Sequence, residues 1–217
     1  MDLKERIIQV SKETGRSHLG SCLSAVDLIE SVYRIKDDKD KFVLSAGHSA
    51  LALYVVLEKH GLMAGININD LSVHPVRDEK HGVDCSTGSL GQGLPIAVGM
   101  SLADRNKNIY CLVSDGELAE GSVWESIRLI HENNLFNLKL LINANGYAAY
   151  RETDLVHNKM AINAWGFYVV TVNGHNQDEI MDALRIDTGQ PLCVWGNTRV
   201  DWHPELSGID AHYRVLK

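Results

Sequence analysis

Five short runs of almost unbroken apolar character, separated by segments of helical periodicity, constrain this chain more than anything else in it. The runs are "KFVLS" (41–45), "IYCLVS" (109–114), "LKLLINA" (138–144), "FYVVTV" (167–172) and "PLCVW" (191–195). A strand with one wet face alternates apolar and polar residues, whereas a strand covered on both faces has no need to. Between and before the runs lie candidate helices: "LKERIIQVSKE" (3–13), "SAVDLIESVYRI" (24–35), "SALALYVVLEKHG" (49–61), "GLPIAVGMSLADRN" (93–106), "GSVWESIRLIHENN" (121–134), "LVHNKMAINAWG" (155–166) and "QDEIMDALRI" (177–186). Ser24 and Asp27 stand at capping-box spacing, with Asp in place of the usual Glu or Gln, and Gly61 closes its helix. This alternation predicts an α/β fold, a doubly wound and mainly parallel sheet with helices on both faces, as a single domain over 1–217.

The 217 residues, 45% hydrophobic and 23% charged, suffice to bury a core without disulfide or metal staples. Cys22, Cys85, Cys111 and Cys193 are scattered, with neither a CxxC pair nor zinc spacing, so a reducing, cytoplasmic setting is expected. A net charge of −7 and the lack of any strongly basic stretch argue against nucleic acid as a partner. The amphipathic N-terminus lacks the continuous apolar core of a signal peptide, and no window approaches a membrane span, so no membrane partner is expected.

In a parallel sheet, ligands bind outside the carboxyl ends of the strands. Asp115 directly follows the second apolar run and precedes Gly116; Asn145 directly follows the third. A carboxylate and an amide oxygen at adjacent strand ends suit a hard cation such as Mg²⁺, with a diphosphate as the natural third party. Each dipeptide is also ordinary turn chemistry, Asp-Gly and Asn-Gly alike. The loop "STGSLGQG" (86–93) places Gly88, Gly91 and Gly93 at the mouth of an apolar helix, where backbone N–H groups can face an anion or glycine can simply permit close packing.

Taken in order, these pieces resemble the N-terminal, diphosphate-binding half of transketolases. "SHLGSCLSAVDLIESVY" is similar to the family's Ser-Gly-His-Pro-Gly segment and "DKFVLSAGHSALALYVVLEKHG" to its Asp-Arg-Phe-Val-Leu-Ser-x-Gly-His segment. "GVDCSTGSLGQGLPIAVGMSLA" is the most specific match; "SDGELAEGSVWES" followed by "LLINANGY" resembles the thiamine diphosphate signature, and "WGFYVVTVNGHNQDEIMDAL" the Gly-His-Asp segment. The resemblance implies the thiamine-diphosphate-binding fold of that half. It implies Asp115, Asn145 and the backbone carbonyl of Tyr147 as ligands of Mg²⁺ or Ca²⁺. It implies Gly116 at the diphosphate, Gly88 and Leu90 along the rings, and His203, in "WHPEL", near the diphosphate. His18, His48 and His74 match histidines around the cofactor and sugar hydroxyls, and Glu120 a glutamate that communicates across a subunit interface; these four form the implied catalytic set. His175 is expected to bond within a loop, while His60, His131, His157 and His212 match no motif and read as surface residues.

The implied activity is transfer of a two-carbon ketol unit between a ketose and an aldose, with sugar phosphates as the expected substrates. The pyrimidine-binding and C-terminal domains have no counterpart in the sequence. The expectation is therefore a split enzyme, a dimer of heterodimers with a C-terminal transketolase-like subunit. Three positions depart from the family pattern: Ser114 replaces the first glycine of Gly-Asp-Gly, His81 stands where proline is usual, and the region after Trp195 lacks a Lys-Gly-Lys-Gly segment. Two other readings stand beside the first. One is a different thiamine diphosphate enzyme, deoxyxylulose-phosphate-synthase-like or decarboxylating; the other is a non-catalytic scaffold that keeps the fold.

Overall fold

The computed structural model describes residues 2–216. The five apolar runs become β1 (Lys41–Leu44), β2 (Ile109–Ser114), β3 (Leu138–Ala144), β4 (Tyr168–Asn173) and β5 (Leu192–Asn197). All neighbours are parallel, in the order β1-β2-β3-β5-β4. The α-helices among the described residues are α1 (Leu3–Thr14), α2 (Leu19–Ile35), α3 (Ala50–Lys59), α4 (Gly93–Ala103), α5 (Gly121–Glu132), α6 (Leu155–Ala164) and α7 (Gln177–Leu184). None of these helices is long and apolar enough to cross a membrane.

The sheet divides the core in two, as continuous apolar strands require. On one face Tyr110, Leu112, Leu141 and Val194 pack with α1, α2, α3 and α7; on the other Cys111, Val113, Leu140, Ile142 and Trp195 pack with α4, α5 and α6. The topology follows from right-handed crossovers. The chain moves β1 to β2 to β3 with α4 and α5 on one face and overshoots one position to β4 through α6. It then steps back to β5, and this reversal puts α7 on the opposite face.

One boundary differs from the sequence expectation. Ser24 and Asp27 do not cap α2, which begins at Leu19 with His18 as its N-cap; the Ser24 hydroxyl donates to the Ser21 carbonyl at 3.1 Å inside the helix. Leu19, Cys22 and Leu23 carry the apolar face one turn and more upstream, and their burial outweighs the local capping signal.

Candidate functional site

Three strand ends build the site. β1 runs into Ser45 and a 3₁₀ turn, Gly47–Ser49, that presents His48. β2 ends at Ser114 and turns into the 3₁₀ segment Asp115–Ala119. β3 leads into the loop from Asn145, which carries Tyr147 and Ala148. Above them lies a cavity of about 210 Å³ whose walls include His18, His48, His74 and His212, the Gly88 and Leu90 loop, Gly116, Glu120 and Tyr147. Residues far apart in the sequence thus converge at the carboxyl edge of the sheet.

The histidines form a connected group. The His18 and His48 ring centroids lie 5.6 Å apart and those of His48 and His212 6.3 Å apart. Burial, helped by the neighbouring imidazoles, pushes the His48 pKa down to about 3, and burial also lowers those of His18 and His212. These rings are therefore neutral at physiological pH, each offering one N–H donor and one acceptor nitrogen. His18 occupies the left-handed region at φ 64°, a conformation uncommon for a side-chain-bearing residue, and its N–H donates to the His212 carbonyl at 2.9 Å. The Nδ1 of His212 is buried with no partner among the described residues.

Asp115 is the acidic residue here whose burial most demands a partner. It is 1% exposed. Its Oδ2 accepts the Gly146 N–H at 2.9 Å and the Thr153 hydroxyl, but its Oδ1 is buried without any partner among the described residues. Desolvation raises its pKa to about 6, with those hydrogen bonds opposing the rise. Asn145, also buried, accepts the Tyr147 N–H at 3.0 Å and donates to Ser24 Oγ at 3.3 Å. The register Ser114↔Asn143 makes the ends of β2 and β3 direct neighbours, so Asp115 and Asn145 stand on adjoining strand ends, as expected for a parallel sheet. Asp115 itself lines a second cavity, behind Gly116 and Ala148, which also receives Arg151 and Thr153.

The donor set fits a hard divalent cation. An unpaired buried carboxylate oxygen, an amide oxygen and the carbonyl of Tyr147 sit on adjoining strand ends, all oxygen and none soft. Among the described residues no cluster of three or more His, Cys, Asp or Glu side chains offers a metal site of another kind.

Two placements differ from the sequence expectation. His203 does not line the cavity; its Nδ1 accepts the Glu205 N–H at 3.3 Å on a local turn. His212, expected at the surface, is 5% exposed and does line it. The cause is the segment after β5, which folds back along α2 and buries Val200, Leu206 and Ala211. A Cβ on Gly20 would come within 2.7 Å of the Ala211 Cβ, so the bare backbone of Gly20 is what lets the segment dock. The hint in the sequence is the apolar spacing of Ile209, Ala211 and Leu216 around that histidine.

Glu117 escapes the sequence reading, although its signal is there. Ser114 and Glu117 form a capping box at the start of the 3₁₀ turn. The fully buried Glu117 carboxylate also accepts the Ser45 hydroxyl at 2.7 Å and the Gly91 N–H at 3.0 Å, tying the glycine loop to the ends of β1 and β2. Gly91, at φ 77°, passes so close that an added Cβ would lie 2.7 Å from the Glu120 Cβ.

Comparison with known proteins agrees with this geometry. The family model for the transketolase thiamine diphosphate binding domain matches residues 9–198. Human transketolase is 32% identical over 217 residues, covering 88% of this chain and 35% of its own length. An apulose-4-phosphate transketolase subunit of Phocaeicola vulgatus is 30% identical over 208 residues, covering 84% of this chain and 73% of its own. Among solved structures, transketolase from Campylobacter jejuni matches with a TM-score of 0.76 at 26% identity, over 98% of this chain and 40% of that one. The chain thus spans about a third of the human relative's length. With the family model covering most of its residues, the chain belongs to the transketolase family and carries that family's thiamine diphosphate binding domain.

Proposed function

We propose that this chain is the diphosphate-binding subunit of a split transketolase, moving a two-carbon ketol unit from a ketose to an aldose, with sugar phosphates as substrates. A C-terminal transketolase-like subunit supplies the pyrimidine-binding domain, in a dimer of heterodimers. The observation that carries the reading is the orphaned, buried Oδ1 of Asp115, on a strand end adjoining that of Asn145 and lining a second cavity that shares Gly116 and Ala148 with the histidine-lined one. Asp115, Asn145 and the Tyr147 carbonyl would hold Mg²⁺ or Ca²⁺ and, through it, the diphosphate.

Thiamine diphosphate, when bound, supplies the nucleophilic carbon and the electron sink for the transferred two-carbon unit. The chain's own groups do the rest. Gly88, Leu90 and Gly116 line the cavity wall and would hold the cofactor. His18, His48, His74 and His212 face the same space, and the neutral rings of His18, His48 and His212 can orient sugar hydroxyls and pass protons to and from them. Glu120, which lines the cavity beside Gly91, would face the partner.

Two further facts support a partner. The relative from Phocaeicola vulgatus is itself named as one subunit of its transketolase. And α4 has no charged residue along Gly93–Ala103, yet exposes Ile96 and Leu102, with Leu90 exposed nearby at the cavity mouth. Calorimetric titration with Mg²⁺ and thiamine diphosphate, with and without the partner, tests the reading. Asp115→Ala abolishes Mg²⁺-dependent binding while circular dichroism stays native; unchanged binding removes Asp115 from the metal site. No binding by the wild-type chain under either condition points instead to a scaffold.

A further inference from the structure

The five strands contain two charged residues, Lys41 and Lys139. Lys41 is answered by Asp84 at 2.8 Å. Lys139, on the β3 face that also carries Leu141, is half-buried and has neither a hydrogen bond nor an ion pair among the described residues. Burial lowers its pKa, and only the more distant charge of Asp187 opposes that. An unpaired ammonium in a strand costs stability, and the cost calls for a reason.

Lys139 opens into a shallow cavity of about 660 Å³ at the end of the sheet opposite the histidines. Arg34 and Arg185 stand on its walls with one carboxylate, that of Asp187. The Tyr110 side chain, register neighbour of Lys139, brings a hydroxyl that no group within the described residues bonds, and Phe136 adds a half-exposed ring. The nearby Asp40 is already engaged, accepting the Asn108 N–H at 2.8 Å and the Asp37 N–H at 3.1 Å. Arg34 and Arg185 also complement the carboxyl ends of α2 and α7. That role leaves Lys139 unexplained, since it bonds none of those helix-end carbonyls.

We propose that this cavity is a second anion site, in which Lys139, Arg34 and the Tyr110 hydroxyl bind the phosphate group of a small phosphorylated metabolite, remote from the cofactor. Guanidinium, ammonium and phenol together match the acceptors of a phosphate dianion, and Phe136 offers a surface for the carbon skeleton of a monoester. Such a site is independent of the transketolase reading.

The test uses the 217-residue chain, without Mg²⁺, titrated with inorganic phosphate and separately with glycerol 2-phosphate at matched ionic strength. Side-chain NMR of the lysine ammonium groups and backbone amide shifts report the site. The expected result is saturable movement of the Lys139 signal and of amides at Asn108 and Arg185. Lys139→Met and Arg34→Gln each weaken binding about tenfold or more, and His48→Asn leaves it unchanged. Tighter binding of the monoester than of phosphate identifies an organic phosphate as the ligand; equal binding identifies the free ion. Lys139→Met also raises the melting temperature without phosphate and removes the phosphate-dependent rise seen in wild type. Shifts confined to the histidine cavity, or a phosphate response unchanged in Lys139→Met, overturn the proposal.

Discussion

Asp115 and His48 show burial acting in opposite directions on an acid and a base, each to the same end. Both groups are held neutral more readily than in water, Asp115 on one and His48 on the other of two cavities that share Gly116 and Ala148. For His48 the consequence for stability has a definite sign. The unfolded ring, near 6.5, takes up a proton that the folded ring refuses until about 3. The folded state therefore has its full stability above pH 6.5 and loses it as pH falls through that window. The slope is about 1.4 kcal/mol per pH unit, so by pH 5 His48 alone costs about 2 kcal/mol. Thermal melts at pH 7.5 and pH 5 should show a smaller acid loss in His48→Asn than in wild type; equal losses place the acid sensitivity elsewhere. Asp115, His18 and His48 are legible as site residues because each lies within a motif. His212 is not, because it lies in no motif and the apolar spacing of Ile209, Ala211 and Leu216 around it says that the segment packs without saying where.

At the scale of elements, two connections decide whether the site exists. The first is Glu117, whose single carboxylate joins β1, β2 and the glycine loop. Glu117→Ala leaves three buried donors without an acceptor, which costs about 3 kcal/mol. A stability loss of that size, read from the lowered urea midpoint at unchanged m, is expected, and a change below the scatter of surface variants would mean that water replaces the carboxylate. The second is the docking of the segment after β5 along α2. Gly20→Val drives a side chain into Ala211 and should release that segment to limited proteolysis near 200–212 while the sheet persists. Resistance equal to wild type would show that the segment is anchored elsewhere, through Trp202 against Lys4, Arg199 and His175. Helix and strand identities are readable from period and apolar runs. The start of α2 is not, since the Ser24 signal competes with a longer buried face that only tertiary packing reveals.

For the whole molecule, helices cover the sheet on both faces, and the candidate site lies at its carboxyl edge. Ile96→Lys and Leu102→Glu lie on the exposed face of α4, so their effect on the chain's own stability should stay within about 0.5 kcal/mol. Sedimentation analysis with the proposed partner subunit should nevertheless show weakened assembly; full assembly by both variants would assign that face to another role. The sequence by itself determined the class of fold, the parallel pairing that brings the ends of β2 and β3 together, and the candidate status of Asp115 and Asn145. Those properties follow from patterns along neighbouring residues, which burial on two faces and turn chemistry impose locally. Only the tertiary structure decided that His212 rather than His203 enters the cavity, that Glu117 clamps the glycine loop, and that Lys139 stands unpaired among the described residues. Each of these depends on which distant segments pack together, and solvent exclusion by residues far apart in the chain leaves no periodic trace in the sequence.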